Sequence, residues 1–254
     1  MKKLIYVIPK EKHSEKDIKD ILLAHSEVKF VSLVGIDLSG NDTDERIPMK
    51  IFLDDISGFS NGVIQTDGSS VVLPGIATLN NAKLDMLADA DCNWYIDYNY
   101  ENIDAETQLP IGTLKIPCTL LHDKIPVDSR SILKKSVETF KTTLLDLLKE
   151  NPSALSSFDF EYKDIDKLML TSATELEFWV KTPNDKADIE ELSTSQVLKE
   201  QYWSKTKGNV RTALEQTLLL MQEYGFEPEM GHKEVGGVKA QIGEAGSLTH
   251  IMEQ

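Results

Sequence analysis

The sequence predicts a protein of mixed strands and helices, in an α/β or an α+β arrangement. The chain begins with a strand-like apolar run, which is followed by a helical pattern and then by a second apolar run. This order of strand, helix and strand occurs in both α/β and α+β proteins. From Phe30 to about Leu120, short apolar runs are separated by Gly, Pro, Asn and Asp, as in strand-rich domains. After Ser129 the pattern changes to long helices, so both kinds of element are expected.

The first elements have recognisable beginnings and ends. Residues 3–8 form an apolar run typical of a strand. Ser14 is a typical N-cap for the next helix, in which Ile18, Ile21 and Leu22 repeat at helical spacing. The run VKFVSLVGIDLSG then predicts a strand that ends in a Ser-Gly-Asn-Asp turn.

Helical patterns dominate the second half of the chain. A long helix is expected to stop before Asn151-Pro152, and its apolar stripe consists of Leu133, Val137, Phe140, Leu144, Leu147 and Leu148. The run LMLTSATELEFWV predicts a long strand. Two further helices are expected from about Ser195 to Lys205 and from Asn209 to Tyr224, the latter stopped by Gly225. Strand-like alternation returns in FEPEMGHKEVGGV.

Composition excludes several classes of protein. The chain has 254 residues, of which 41% are hydrophobic and 27% charged. It holds no apolar run of about 18 residues, and the run at its start stops at Pro9 without a cleavage site, so we expect a soluble protein without a membrane partner. Cys92 and Cys118 have no metal-type spacing, which predicts two buried thiols in a cytoplasmic protein.

The negative net charge of the chain argues against binding of nucleic acid and is compatible with binding of cations. A formal net charge of -15 repels a phosphate backbone, and no Lys/Arg stripe with interleaved aromatic residues is present, so nucleic acid is not expected as a partner. Clustered carboxylates can, however, be ligands for hard cations.

Two carboxylates interrupt an otherwise apolar run. Glu175 and Glu177 would lie on one face of the predicted strand, about 6.5 Å apart at the backbone. At an effective dielectric constant of ~20 they would repel by roughly 2 kcal/mol. An Arg or Lys partner, protonation of one acid or a divalent cation could offset this repulsion. A half-exposed strand would carry the same pair without any ligand.

A second segment supplies further potential ligands. His232 and Glu234 in HKEV again lie two residues apart on a predicted strand. If the two strands were neighbours, four potential ligands would converge, although a lone His is more often a hydrogen-bonding group. The residues alone leave a metal site and solvated strand faces both open.

Three segments together resemble the glutamine synthetases. TELEF and, after a helix ending in Tyr-Gly, GHKEV are similar to that family's first two metal-ligand segments, and QTDGSSVVLPG resembles the D-G-S-S segment of its amino-terminal β-grasp domain. The likeness covers about Lys29 to Gln254. It implies an α+β fold, with a β-grasp-like domain over residues 1–122 and a partial antiparallel-sheet-plus-helices catalytic domain over residues 123–254.

The resemblance implies metal ligands. Glu177 and Glu234 would hold the ion near the substrate carboxylate, and Glu175 the ion that serves the nucleotide phosphates, with Mg²⁺ or Mn²⁺ as the metal. Such ions bridge and neutralise the anions that phosphoryl transfer brings together. The family's next metal glutamate would fall at Ile242, so a longer hairpin is expected to move this ligand to Glu253 or, as the second choice, to Glu244.

The resemblance also implies substrate contacts. Asp67 would bind ammonium and assist its deprotonation, reaching into a neighbouring subunit's site. The dipeptide Asp67-Gly68 between VIQT and SSVVL also predicts a two-residue hairpin turn without any catalytic role. Ser69 and Ser70 complete the motif, with Ser69 as a substrate-binding residue, and Tyr202 would lie near the substrate unless it packs in the core.

The implied reaction is the ATP-dependent ligation of ammonia to glutamate through γ-glutamyl phosphate, which gives glutamine. Its partners would be glutamate, ammonium, ATP and neighbouring subunits in a ring-shaped homo-oligomer. The family's remaining machinery would lie beyond Gln254, so we expect this chain to form glutamine only within a longer protein or with a complementing chain. Two alternatives stay open: a non-catalytic or regulatory fragment of this type, and a γ-glutamyl ligase that uses another amine.

Overall fold

The computed structural model describes residues 4–62, 64–73, 83–182, 208–232, 238–241 and 248–253. The chain divides into two compact units, Met1–Thr171 and Ser172–Gln254. Both combine strands with helices, so the expected α+β class is confirmed. The sequence-based boundary between residues 122 and 123 falls inside the first unit. It stays a prediction, as does the β-grasp arrangement.

A mixed sheet forms the centre of the first unit. Its strands are β1 (Val7–Ile8), β2 (Val28–Val34), β3 (Ile47–Pro48), β4 (Gln65–Asp67), β5 (Lys83–Ala88), β6 (Trp94–Ile103), β7 (Pro110–His122) and β8 (Ile125–Pro126). The order is β1-β6-β7-β2-β3, while β7 also pairs with β5 and β8, and β4 pairs with β5. The pair β2 and β7 is parallel, and the remaining pairs are antiparallel.

The core follows from the period of two along the central strands. In β7, alternate residues are fully buried: Leu114, Ile116, Cys118 and Leu120. Burial of one such aliphatic side chain contributes about 1.5–3 kcal/mol. Burial of Cys118 raises the pKa of its thiol to about 12. Cys92 is half-buried, and both cysteines are free thiols.

Helix α1 (Glu15–Ala24) begins where the sequence indicates. The Ser14 hydroxyl accepts a hydrogen bond from the Asp17 amide at 3.1 Å, which confirms the predicted N-cap. Ile18 and Leu22 are buried in the core of the first unit. The apolar stripe of this helix therefore joins the core, as its spacing predicts.

Two short helices lie within the segment that the sequence indicated as strand-rich. They are α2 (Met49–Asp54) and α3 (Ile56–Ser60), and their buried residues are Phe52, Ile56 and Phe59. The sequence prediction missed both because each is too short for a repeating helical pattern. Asp55 separates them, since its carboxylate accepts the Gly58 amide at 2.9 Å and caps α3.

Helix α4 (Ser129–Glu150) confirms the long helix that the sequence predicts. It ends before Pro152, and Asp128 is its N-cap. No residue of α4 is buried. Leu133, Phe140 and Leu147 in its apolar stripe are 64%, 58% and 54% exposed. Val137, Leu144 and Leu148 of the same stripe are half-buried. No described helix is both long and apolar enough to cross a bilayer.

The second unit contains a three-stranded antiparallel sheet of β9 (Trp179–Thr182), β10 (Val238–Gln241) and β11 (Leu248–Glu253), in the order β10-β11-β9. The pair β10 and β11 confirms the expected hairpin. Helix α5 (Gly208–Glu223) is followed by Gly225 with φ of 79°, and the Phe226 amide donates to the Met221 carbonyl at 3.0 Å. This left-handed C′ glycine confirms the predicted helix end.

The predicted long strand over LMLTSATELEFWV is wrong for most of its length. Residues 165–178 have no regular structure, and β9 begins only at Trp179. Its partner strand β11 ends at Glu253, opposite Trp179. Among the described strands, none pairs with the backbone groups of the preceding residues.

The predicted strand over FEPEMGHKEVGGV is also wrong where it is described. Residues 226–232 have no regular structure, and β10 begins at Val238. Pro228 removes a ladder donor. Gly231 lies against α5, since a Cβ atom there would come within 2.8 Å of Leu214 Cδ1. The helix expected from Ser195 to Lys205 lies outside the described residues.

Candidate functional site

The D-G-S-S segment forms a turn at the end of β4. Asp67 is the last residue of this strand and is exposed, and the chain then enters a 3₁₀ turn over Gly68–Ser70. Asp67 lies opposite Lys83 of β5. The predicted hairpin with SSVVL is therefore wrong, because β4 pairs with β5 and residues 71–73 form no strand. We refer to Asp67–Ser70 as the Asp67 turn.

Both flanks of the Asp67 turn are fixed to the first unit. Before it, Thr66 is buried and its hydroxyl donates to Glu45 Oε1 at 3.3 Å. After it, Val71 and Leu73 are buried in the core, while Val72 between them is 46% exposed. The exposed carboxylate thus lies on a short segment that is anchored at both ends.

A buried carboxylate, Asp37, is hydrogen-bonded to the segment that follows this turn. It is 1% exposed, and its Oδ1 accepts from the amides of Ser39 and Asn41 at 2.8 and 2.9 Å. Its Oδ2 accepts from the Val72 amide at 2.9 Å and from the Asn41 side chain at 3.3 Å. Sequence reasoning found the turn after Asp37 but missed this residue, because its link to Val72 spans 35 residues.

Asp37 is held in its ionised form by neutral donors. Burial opposes its charge, but hydrogen bonds from Val72, Asn41 and Ser39 outweigh this effect. The pKa of the Asp37 carboxyl therefore lies below its usual value. A carboxylate in this position can accept at both oxygens at once, which a single amide oxygen cannot do.

The predicted metal ligands belong to the second unit. Glu175 and Glu177 are exposed in the irregular segment before β9. Glu253 ends β11 opposite Trp179, so the backbone places it at the same end of the small sheet as Glu177. Glu234, the alternative ligand Glu244 and the substrate candidate Tyr202 lie outside the described residues.

The described residues do not assemble a metal centre by themselves. Among them, no group of at least three His, Cys, Asp or Glu side chains comes together. His232 is half-buried and follows α5 outside any strand, so it does not lie on a strand as predicted. The carboxylate chemistry of Glu175 and Glu177 suits Mg²⁺ or Mn²⁺, but a complete donor set would need residues beyond those described.

The comparisons with known proteins give a distant structural likeness. No protein-family model matches the sequence, and no curated protein matches it. Among solved structures, the chain is similar to "GmaS/ADP complex-Conformation 1", with a TM-score of 0.38 and 13% sequence identity. The match covers 92% of this chain and 43% of that chain. This chain thus spans less than half the length of GmaS, and the ADP of that complex is a ligand of GmaS.

Proposed function

We propose that this chain forms part of an ATP-dependent γ-glutamyl ligase of the glutamine synthetase type, which joins ammonia to glutamate through γ-glutamyl phosphate. The Asp67 turn is the observation that supports it. An exposed carboxylate lies in a D-G-S-S segment that resembles the family's ammonium-binding segment, and both flanks of this segment are anchored.

The chemistry of Asp67 fits an ammonium ion. At about 4 Å, a carboxylate and an ammonium ion attract by about 1 kcal/mol in bulk water and by about 4 kcal/mol at an effective dielectric constant of about 20. A site closed by a neighbouring subunit would be nearer the second case, because it excludes water. The same carboxylate could take the proton that ammonium must lose before it attacks γ-glutamyl phosphate. We therefore propose a ring-shaped homo-oligomer in which Asp67 serves an adjacent subunit.

Activity of the complete gene product tests this proposal. With ATP, glutamate, Mg²⁺ and ammonium, we expect phosphate release that depends on both glutamate and ammonium, and glutamine as the product. Asp67→Asn removes the charge that attracts ammonium, so the KM for ammonium should rise about 10- to 100-fold, where each tenfold corresponds to about 1.4 kcal/mol. The exposed Asp20 of α1 offers a matched control, since Asp20→Asn should leave this KM unchanged.

The same assay separates the alternatives. Turnover with larger amines but not with ammonium would show that the protein is a γ-glutamyl ligase whose substrate is an amine other than ammonia. Absence of glutamate-dependent ATP turnover with every amine would contradict the ligase proposal and favour a non-catalytic role.

We further propose Glu175, Glu177, Glu234 and Glu253 as ligands of Mg²⁺ or Mn²⁺. The resemblance supports the first three, and the position of Glu253 opposite Trp179 supports the fourth over Glu244. When bound, such an ion would neutralise the nucleotide and acyl phosphates. The side chains of this set would have to be brought together by residues that the structure does not describe.

Calorimetric titration with Mn²⁺ tests this ligand set in the 254-residue chain. We expect saturable binding that Glu177→Gln weakens about tenfold or more, because an amide oxygen is a poorer ligand than a carboxylate. Glu227 is exposed in the same unit, so Glu227→Gln controls for the loss of one negative charge. Equal affinity of the wild type and Glu177→Gln would remove Glu177 from the set.

A further inference from the structure

We propose that Asp37 is a positioning residue for the Asp67 turn, and that it acts through the Val72 amide to set the affinity for ammonium. This inference deepens the proposed function and rests on it, because ammonium is the ligand that the function assigns to Asp67. Asp37 itself is buried and would touch neither ammonium nor glutamate.

The two carboxylate oxygens of Asp37 have different partners. Oδ1 accepts only from its own loop, from the amides of Ser39 and Asn41. Oδ2 accepts from the Val72 amide at 2.9 Å as well as from the Asn41 side chain. One oxygen thus shapes the local turn, and the other reaches the segment that leaves the Asp67 turn.

Val72 is attached at both of its backbone groups. Its amide donates to Asp37, and its carbonyl accepts from the Leu38 amide at 3.1 Å. Two bonds to adjacent residues fix both the position and the direction of the Val72 backbone. The buried side chains of Val71 and Leu73 hold the same segment from the core side. The Asp67 turn therefore ends at a rigid point.

The base of the loop that contains Asp37 is held by hydrogen bonds that do not involve the Asp37 side chain. The Thr43 hydroxyl accepts from the Gly35 amide at 2.9 Å and donates to the Leu33 carbonyl at 2.7 Å. The Thr43 amide also donates to the Gly35 carbonyl at 3.0 Å. The base of this loop is thus closed without Asp37. Loss of Oδ2 should release Val72 and the Asp67 turn more than it releases the loop.

Asp37→Asn tests the role of Oδ2 selectively. The remaining amide oxygen can still accept from Ser39 and Asn41, but the amide nitrogen cannot accept from Val72. In the 254-residue chain, we expect hydrogen exchange at the Val72 amide to accelerate about tenfold or more. Exchange at the Leu114 amide in the centre of β7 should change far less. In the complete gene product, the KM for ammonium should rise at least threefold at a nearly unchanged kcat.

Two further variants provide a control for the Val72 bond and a substitute in case Asp37→Asn does not fold. Asn41→Ala removes one bond to Oδ2 and leaves the Val72 bond, so it should have little effect on either readout. If Asp37→Asn fails to fold, Asp37→Ser retains a hydroxyl for the local turn and is too short to reach Val72. We expect Asp37→Ser to accelerate Val72 exchange in the same selective way.

The outcomes distinguish this inference from the proposed function. Equal acceleration of exchange at Val72 and Leu114 would show a general loss of stability and overturn the positioning role. Faster Val72 exchange with an unchanged ammonium KM would overturn the coupling to the ligand. A wild type without ligase activity would contradict the proposed function and, with it, the coupling. Val72 exchange would still decide whether Asp37 holds the turn.

Discussion

Replacement of Trp94 by alanine is expected to lower the free energy of unfolding of the first unit by about 3–5 kcal/mol. Trp94 is 2% exposed at the start of β6, and its ring stacks on His13 with the ring centroids 3.9 Å apart. Its indole N–H donates to the Asp89 carbonyl at 3.0 Å. The substitution would leave a cavity, an unstacked imidazole and a carbonyl without this donor.

Urea unfolding followed by far-ultraviolet circular dichroism measures this loss. Trp94→Phe is the matched variant, because it keeps an aromatic ring and removes the donor. It should cost less, about 1–2 kcal/mol. A loss below about 1 kcal/mol for Trp94→Ala would contradict the packing described for this residue.

Replacement of Asp128 by alanine should lower the free energy of unfolding by about 2–4 kcal/mol. Asp128 is 1% exposed, and its Oδ1 accepts from the Ser131 amide at 2.9 Å as the cap of α4. Its Oδ2 accepts from the Leu120 amide at 3.1 Å and from the Ser131 hydroxyl at 2.8 Å. Loss of a cap costs about 1 kcal/mol, and a buried amide without a partner costs about 1–3 kcal/mol.

Asp128→Asn separates the two contributions. Asparagine is a good N-cap and can still accept from Ser131, but its amide nitrogen cannot accept from Leu120 at the same time. We expect it to lose roughly half of the stability that Asp128→Ala loses in the same urea experiment. If Asp128→Ala changed stability by no more than about 0.5 kcal/mol, as a surface substitution does, the buried link between β7 and α4 would be refuted.

The elements predicted correctly from sequence are those with local signals. Ser14 caps α1, Gly225 ends α5, and the long apolar stripe marks α4. Each depends on residues within a few positions along the chain. The hairpin of β10 and β11 belongs to the same group, since its strands are close in sequence.

The elements predicted incorrectly depend on distant partners. The alternation around Glu175 and Glu177 resembles a strand, but a strand needs a neighbour, and β11 reaches only Trp179. The dipeptide Asp67-Gly68 has the composition of a hairpin turn, yet β4 pairs with β5. Sequence spacing describes a side-chain pattern and does not show which backbone lies beside it.

In the candidate site too, the residue with a local sequence signal could be predicted and the residue with a distant partner could not. Asp67 could be selected from its motif, because the motif is contiguous. Asp37 could not, because its function in the fold is a bond to Val72 across 35 residues. A buried carboxylate held by neutral amides leaves no charge pattern in the sequence that would distinguish it from an ordinary turn aspartate.

The exposed apolar residues of α4 bear on how the chain responds to its solvent. The helix has 22 residues, so its stripe runs for about 33 Å along the surface. Apolar surface of this extent makes the chain sensitive to salts of the sulfate and phosphate type, which strengthen hydrophobic association. We therefore expect self-association of the chain to increase with the concentration of such salts, while the buried core of the first unit stays intact.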